Sequence, residues 1–293
     1  MKHLQQRFRV SERRACRVVG QPRSSQRHVS EKVTKDAALS ERIVSISREN
    51  PRYGYRRVWA LLRREGWEVN KKRVQRLWRE ADLKVPAKQH KRRRRSEGSS
   101  HNGCTKRRAE YPGHVWSYDF AMDSTEDGRR LKLMPVVDEY SRECLSLEVE
   151  RSITAEEVVD TLRRLFIERG APKYIRSDNG SEFIAEAVKR WLALCEVGTL
   201  YIEPGAPWEN AYTETFVSRL RDELLNREVF ANLKEAQVLS GDYRDHYNHY
   251  RPHGALGYLT PAEFATIEAL SAQSSFVPAE EPKELESVQR LSS

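Results

Sequence analysis

Three acidic residues in the second half of the chain have the types and the spacing of a metal-dependent site. Asp119 lies in WSYDF, which has the character of a strand, and Asp178 follows IRS at the expected end of another strand. Glu214 lies in the helix-like segment NAYTETFVSRLRDE, with 35 residues between it and Asp178. Carboxylates that converge repel one another unless a cation neutralises them, and Mg²⁺ or Mn²⁺ prefers such oxygen ligands. The three acids are therefore predicted to be the catalytic residues and the ligands of two metal ions, a site suited to phosphodiester chemistry.

Three neighbouring residues are predicted to support this site. Gly180 would allow the backbone to approach the metal closely, and Asn179 could orient a carboxylate or a water molecule. Asn210 lies one helical turn before Glu214. The stretch DNG also has an ordinary interpretation, because Asp, Asn and Gly are typical of a turn after a strand. Only the combination of DNG with Asp119 and Glu214 favours a catalytic role for this stretch over a turn.

Other polar residues near these motifs are expected to have structural roles. Asp123 and Asp138 are predicted at a turn and at a strand end. Glu182 is predicted at a helix start, where a negative charge suits the helix dipole. The motif RPHGALGYLTPAEF is expected to pack as a terminal pair of helices, and its Arg251 and His253 are candidate phosphate contacts.

The composition is that of a globular protein, with 293 residues of which 38% are hydrophobic and 32% are charged. No apolar run approaches the roughly 20 residues needed to span a bilayer. The N-terminal segment is rich in Arg and lacks the apolar middle of a secretory signal, so we expect a cytoplasmic protein. The four cysteines lie far apart, which argues against a disulfide framework or a zinc ribbon.

The basic charge is concentrated in the first third of the chain. Residues 1–110 contain 32 Lys and Arg against 11 Asp and Glu, whereas the rest contains 20 against 32. This asymmetry is typical of a polyanion-binding region joined to an acidic body. Nucleic acid is the expected polyanion.

Two helices around a short turn are predicted within residues 36–86. Gly66 would end the first helix and Asn70 would cap the second, and apolar residues recur in both at helical spacing. This pattern predicts a helix-turn-helix whose second helix enters a major groove of DNA. The alternative is a helical hairpin with a solvated basic face. The predicted DNA-binding residues are Lys71, Lys72, Arg73, Gln75, Arg76 and Arg79 of the second helix and Arg92, Arg93 and Arg94 of the following segment.

The remaining boundaries are predicted from composition. Residues 1–35 should form a basic N-terminal segment with a short helix, and residues 87–110 a basic linker that lies along phosphates. Residues 111–228 should form the catalytic body, and residues 229–268 its helical extension. Residues 269–293 are rich in Glu, Pro and Ser and are expected to be disordered.

Residues 111–228 have the pattern of a mixed α/β fold. Three strands in succession, HVWSYDFAM, LKLMPVVDEYSR and ECLSLEVE, precede the strands PKYIRS and TLYIE, which alternate with helices. Thr154 and Glu157 form a capping box at the start of the first of these helices. The order predicts a mixed five-stranded sheet flanked by helices and preceded by the all-α helix-turn-helix region.

The motifs taken together resemble a known family. WSYDF, VVDEYSRECLSLEV, IRSDNGSEF, PGAPWENAYTETFVSRLRDE and YNHYRPHGALGYLTPAEF are similar to the catalytic second-reading-frame product of bacterial insertion sequences of the three-type family. The core of that family resembles retroviral integrase, and the resemblance implies an RNase H-like fold. The family's two Asp and one Glu fall on Asp119, Asp178 and Glu214. Its later basic residue falls on Arg221, which could contact DNA phosphate near the metals.

The resemblance implies a DNA transposase that cleaves phosphodiester bonds at insertion-sequence ends and then transfers the strand. Its partners would be double-stranded DNA of the terminal repeats and the target, further copies of the chain, and an upstream-frame protein or fusion. It would work in the bacterial cytoplasm, on the nucleoid when bound to DNA. The alternatives are a non-catalytic DNA-binding regulator derived from a transposase and a metal nuclease that only hydrolyses.

Overall fold

The computed structural model describes residues 2–27, 31–85, 108–177, 182–201 and 211–274 of the chain. It comprises two compact units, Met1–Lys91 and Arg92–Ser293. The described part of the first unit is helical, whereas the second unit combines one sheet with helices. Within the described residues, no helix is long and apolar enough to cross a membrane.

The first unit contains six helices in its described residues. Ser11 caps the second of them by accepting from the backbone of Arg14, and Gly20 ends it in the left-handed conformation, with φ of 70°. The helices are α1 (Lys2–Phe8), α2 (Glu12–Val19), α3 (Arg23–Arg27), α4 (Glu31–Glu49), α5 (Tyr55–Arg64) and α6 (Lys71–Glu80).

The predicted helix pair is present as α5 and α6. Gly66 lies just after α5 with φ of 85°, and the Asn70 side chain caps α6 by accepting from the backbone N of Lys72 at 2.8 Å. Both helices bury their predicted apolar stripes, and α4 packs against them. The buried residues are Leu39, Ile43 and Ile46 of α4, Val58, Leu61 and Leu62 of α5, and Val74, Leu77 and Trp78 of α6.

The second unit is built on one mixed sheet. Its strand segments are β1 (Val115–Tyr118), β2 (Ala121–Ser124), β3 (Arg130–Asp138), β4 (Cys144–Glu150), β5 (Tyr174–Ser177) and β6 (Gly198–Tyr201). The order is β2-β3-β1-β5-β6, and β4 pairs with β3 as well. The pairings within β1 to β4 are antiparallel, whereas β1 with β5 and β5 with β6 are parallel.

The segments β1 and β2 together form one strand that is interrupted at Asp119 and Phe120. Trp116 pairs with Asp138 and Ala121 pairs with Leu133, so the antiparallel register on β3 is the same before and after the interruption. Both segments lie on the same edge of β3, because β4 occupies the other edge. The six observed segments therefore correspond to the predicted five-stranded sheet.

Helices cover both faces of this sheet. They are α7 (Ala155–Arg169), α8 (Glu182–Leu194), α9 (Ala211–Leu220) and α10 (Leu233–His249), and α11 (Pro261–Ser274) packs against α10. On one face Trp116 and Met134 pack with Leu162 of α7 and Val188 of α8. On the other face the apolar side chains of β3 and β4 pack with α9 and α10, through Leu133, Val137, Val149, Phe216, Leu220, Tyr243 and Tyr247.

The predicted fold class is confirmed. The observed order of strands and helices from β1 to α9 follows the predicted order of three strands and then alternating helices and strands. The last described helix, α11, continues to Ser274, beyond the predicted end of the extension at residue 268. Residues 275–293 of the predicted tail lie outside the described residues.

The capping box of α7 gives a test of local stability. The Thr154 backbone N donates to Glu157 Oε2 at 2.6 Å, and the Glu157 backbone N donates to Thr154 Oγ1 at 3.3 Å. Thr154→Ala should lower the free energy of unfolding by about 1 kcal/mol, because the backbone N of Glu157 loses its fixed partner. Urea denaturation followed by circular dichroism measures the change, with Thr154→Ser as the matched control. Equal stability of the Ala variant and the wild type would contradict the expectation.

Candidate active site

Asp119 lies at the interruption of the central strand. Its Oδ1 accepts a hydrogen bond from the backbone N of Phe120 at 2.7 Å, and the residue is partly exposed. Ala121 packs in the cluster formed with α9 and α10. Because alternate residues of a strand share a face and the register continues through the interruption, Asp119 belongs to the face covered by these helices.

The strand β5 lies beside β1 and runs in the same direction. Val115 pairs with Tyr174 and Ser117 pairs with Arg176, so the two strands end at the same edge of the sheet. The first and the fourth strand of the predicted order are therefore neighbours in the sheet. Four other residues predicted for the site lie outside the described residues, namely Asp178, Asn179, Gly180 and Asn210.

Glu214 lies in the first turn of α9 and is exposed. The preceding residue, Thr213, is fully buried and donates from Oγ1 to Ser117 Oγ at 2.6 Å. This hydrogen bond fixes the first turn of α9 against β1, two positions before Asp119. The structure thus brings together the elements that carry Asp119 and Glu214.

A buried ion pair lies at this corner of the sheet. Arg176 Nε donates to Glu139 Oε1 at 2.8 Å, and the two side chains are 5% and 0% exposed. Burial raises the pKa of Glu139, and Arg176 together with a hydrogen bond from Ser117 partly offsets that rise. Ser117 therefore links the ion pair to the start of α9.

Arg142 forms a second charged contact near α9. It occupies the turn between β3 and β4 with φ of 65°, and its guanidinium carbon lies 3.7 Å from the centroid of the Tyr212 ring. Burial lowers the pKa of Arg142. Tyr212 precedes Glu214 by two positions, so this cation–π contact supports the same turn of the helix.

The motifs in the sequence did not predict the roles of Glu139, Arg142 and Arg176. One signal could have found Glu139 and Arg142, because both lie in the charged run DEYSRE at the end of a buried strand, whereas Arg176 lies within β5. Charged residues that follow a buried strand so closely need partners of opposite charge, but the sequence does not say which partners.

A π-helical turn, Arg221–Leu225, follows α9 directly. Glu223 in this turn accepts from Nε and Nη2 of Arg251, both at 2.7 Å, in a buried pair. The His253 ring lies 4.7 Å from the Tyr247 ring. Arg251 and His253 are therefore both buried in contacts within the protein, which does not favour the phosphate contacts suggested for them. Arg221, by contrast, is exposed at the start of the turn.

The other acids near the motifs have structural contacts. Asp138 is buried and accepts from the backbone N of Gly113 at 2.6 Å and of Tyr140 at 2.8 Å. Asp123 lies in β2 and not at a turn as predicted, and it accepts from the backbone N of Ser124. Glu182 is the first residue of α8, as predicted. Among the described residues, no three His, Cys, Asp or Glu side chains are placed to hold a metal ion.

The predicted DNA-binding residues of α6 fall into two groups. Lys72 and Arg79 are exposed, and Gln75 lies between them on the same face of the helix. By contrast, Arg73 and Arg76 both form ion pairs with Asp36 of α4. The Lys71 ammonium lies 4.4 Å from the ring centroid of Trp59. The three predicted linker residues, Arg92, Arg93 and Arg94, are outside the described residues.

The hydrogen bond between Thr213 and Ser117 gives a test of the site. Thr213→Val keeps the shape of the side chain but removes the donor, so the buried Ser117 oxygen loses the hydrogen bond that it accepts, while its own bond to Glu139 remains. We expect a loss of about 1–3 kcal/mol in the free energy of unfolding. Denaturation of Thr213→Val and of Thr215→Val, an exposed control on the same helix, measures the difference. Equal losses in the two variants would contradict a special role for this contact.

Family models match both units of the chain. A model described as an integrase core domain matches residues 109–207, and a second integrase core domain model matches residues 196–261. An HTH-like domain model matches residues 34–93, which include α4, α5 and α6. The strand order of the sheet and the integrase core matches together assign the second unit to the RNase H-like class.

Solved structures that resemble the chain include retroviral integrases. The HTLV-2 integrase catalytic core domain in complex with magnesium is 16% identical, with a TM-score of 0.43, and the match covers 54% of this chain and 99% of that domain. A chain of the simian T-cell lymphotropic virus intasome in complex with PP2A regulatory subunit B56 gamma is 17% identical, with a TM-score of 0.45. That match covers 64% of this chain and 63% of the other.

Relatives in sequence come from bacterial insertion elements. A 31.7 kDa protein of insertion element IS407 from Burkholderia multivorans is 38% identical, and the match covers 94% of this chain and 97% of the relative. The putative transposase InsK of element IS150 from Escherichia coli K12 is 29% identical, with 80% of this chain and 84% of the relative covered. The chain therefore belongs to the insertion-element transposases of the three-type family, which carry an integrase core and an HTH-like domain.

Proposed function

We propose that the chain is a DNA transposase that cleaves a phosphodiester bond at each end of its insertion element. The freed 3′ hydroxyl then attacks a phosphodiester of a second DNA, which joins one strand and releases another 3′ hydroxyl. The observation that carries this proposal is the hydrogen bond from Thr213 to Ser117. It ties the helix of Glu214 to β1, which directly precedes Asp119, so two acids far apart in sequence lie on or beside adjacent elements.

Asp178 is proposed as the third acid of the site. Each described partner in β5 is 59 positions after its partner in β1, and Asp178 is likewise 59 positions after Asp119. Asp178 directly follows the last residue of β5, Ser177. The strand pairing and the spacing in sequence therefore support Asp119 and Asp178 as neighbours at one edge of the sheet.

The donor set fits a hard divalent cation. The three proposed ligands, Asp119, Asp178 and Glu214, offer only carboxylate oxygens. The two that the structure describes are accessible to solvent, since Asp119 is partly exposed and Glu214 is exposed. These oxygens suit Mg²⁺, with Mn²⁺ as a substitute, and we propose that the three acids hold two ions. When bound, the ions would polarise the attacking oxygen and stabilise negative charge on the leaving oxygen.

Other residues of the chain hold the acids and the DNA in position. The Arg176–Glu139 pair joins β5 to the end of β3, and Ser117 connects that pair to α9. Because Glu139 neutralises the buried Arg176, Arg176 does not serve as a phosphate ligand. We propose that Arg221, which is exposed at the end of α9, contacts a DNA phosphate.

The first unit is proposed to bind double-stranded DNA of the terminal repeats through α6. Lys72 and Arg79 are suited to phosphates, because they are exposed and lie on one face of the helix. The basic segment with Arg92, Arg93 and Arg94 is proposed to follow the DNA backbone. Further copies of the chain, and an upstream-frame protein or fusion, are proposed partners in a complex on the nucleoid of the bacterial cytoplasm.

Substitution of the three acids tests the catalytic assignment. Asp119→Asn, Asp178→Asn and Glu214→Gln should each lower cleavage and joining by at least about 1,000-fold. Each variant removes a negative charge that would hold the metal ions, and the ions would stabilise the developing negative charge. Duplexes that carry the ends of the encoding element, incubated with Mg²⁺ or Mn²⁺, measure nicking and joining. In gel-shift assays with the same duplexes, the DNA-binding affinity of each variant should lie within about threefold of that of the wild type.

Asp123→Asn is the matched control, because it makes the same change in the same interrupted strand at a residue not assigned to the site. It should cleave and join as the wild type does. Activity retained by any one of the three variants would remove that residue from the site. A wild-type chain that binds the ends but neither cuts nor joins, even when fused to its upstream frame, would instead favour the regulator.

Removal of divalent metal provides a separate test. Chelation with EDTA should abolish both cleavage and joining, and Mg²⁺ or Mn²⁺ added in excess should restore them. DNA binding by the first unit should persist in EDTA, because α6 makes no use of a metal. Cleavage that continues in EDTA would contradict the assignment of the acids as metal ligands.

A further inference from the structure

Asp36 holds two arginines of α6 at the same time. Arg73 donates from Nε to Asp36 Oδ1 at 2.7 Å, and its Nη2 lies 2.5 Å from the same oxygen. Arg76 donates from Nη2 to Asp36 Oδ2 at 2.5 Å and from Nη1 to Glu80 Oε1 at 2.9 Å. Each guanidinium is thereby fixed by a carboxylate from α4, a helix other than its own.

The three side chains differ in exposure. Asp36 is only 12% exposed, whereas Arg73 and Arg76 are 39% and 49% exposed. Hydrogen bonds from both arginines lower the pKa of Asp36, so the carboxyl is ionised at neutral pH. The carboxylate is thus shielded behind two guanidiniums that still reach solvent. An arrangement that only joined α4 to α6 would not require the cations to remain on the surface.

This contact changes what the two arginines can do on DNA. A mobile Arg side chain binds phosphate well, and phosphate contacts carry no sequence information. A guanidinium of fixed direction suits the paired acceptors O6 and N7 of guanine, because bidentate recognition depends on the orientation of the fork. The negative charge of Asp36 also weakens the attraction of this face for phosphate in general.

We propose that Asp36 is a specificity-determining residue, which orients Arg73 and Arg76 to read base edges in the major groove at the expense of non-specific phosphate binding. The proposal rests on the proposed binding of duplex DNA by α6. The proposal gives the predicted DNA-binding residues of α6 two different roles. Arg73 and Arg76 read sequence, whereas the exposed Lys72 and Arg79 bind the backbone.

The test uses the full chain and a randomised duplex library. The wild type selects a sequence, and its affinity is then measured for the selected duplex and for a scrambled duplex of the same composition. Asp36→Asn should bind the scrambled duplex about threefold to tenfold more tightly, because one negative charge is lost. Its ratio of selected to scrambled affinity should fall about tenfold or more, since a bidentate Arg–base contact discriminates by roughly that factor. For the scrambled duplex, a plot of the logarithm of the binding constant against the logarithm of the salt concentration should have a slope more negative by up to about one.

Glu65→Gln is the matched control. Nε and Nη2 of Arg42 in α4 donate to the Glu65 carboxylate at 2.8 Å and 2.5 Å. The variant therefore changes another carboxylate of the same unit, one whose partner belongs to α4 and not to α6. It should leave the affinity ratio unchanged. If Asp36 only stabilises the fold, Asp36→Asn and Glu65→Gln will change the two affinities alike, and the proposal is overturned.

A second variant covers the case in which Asp36→Asn does not fold. Arg73→Lys keeps the charge beside Asp36 but loses the planar fork. It should bind the scrambled duplex like the wild type and lose most of its preference for the selected one. An unchanged preference overturns the proposal. A wild type that selects no sequence at all would show instead that the proposed reading of DNA by α6 is wrong, and the role of Asp36 falls with it.

Discussion

The central strand of the sheet is the constraint on which the second unit depends. β1 pairs with β3 on one side and with β5 on the other, and its continuation β2 keeps the register on β3. Both hydrophobic clusters take side chains from this strand, with Trp116 on one face and Ala121 on the other. A shift of one residue would move Asp119 to the opposite face, so the packing of two faces fixes the position of the candidate site.

Buried charge near the site is retained in compensated pairs. Glu139 with Arg176 and Glu223 with Arg251 each join segments that are distant in sequence. Such pairs add little stability relative to apolar residues, but a pair that loses one partner typically costs about 3–5 kcal/mol. The main effect of these two ion pairs is therefore to hold the ends of β3 and β5 and the turn after α9 in one arrangement. The same principle applies in the first unit, where Asp36 fixes Arg73 and Arg76.

The two units divide the electrostatics of the chain. The basic first third provides attraction for a polyanion, and the acidic remainder contains the candidate metal ligands. An acidic body around a phosphodiester would repel DNA unless cations and basic side chains compensated for its charge. The proposed metal ions and Arg221 meet this need at the site, and the basic first unit meets it elsewhere on the DNA.

The sequence by itself determined the order of the strands and helices, the caps at Asn70 and Thr154, and the choice of Asp119 and Glu214 as candidates. Each of these depends on local patterns, such as alternation along a strand or a polar residue at a helix start. Only the tertiary structure decided the pairing of Glu139 with Arg176, the docking of Thr213 on Ser117, and the contact of Asp36 with α6. These contacts join residues far apart in the chain, and many acids and bases in the sequence could have paired otherwise. Burial and geometry select among them, and both exist only after the chain has folded.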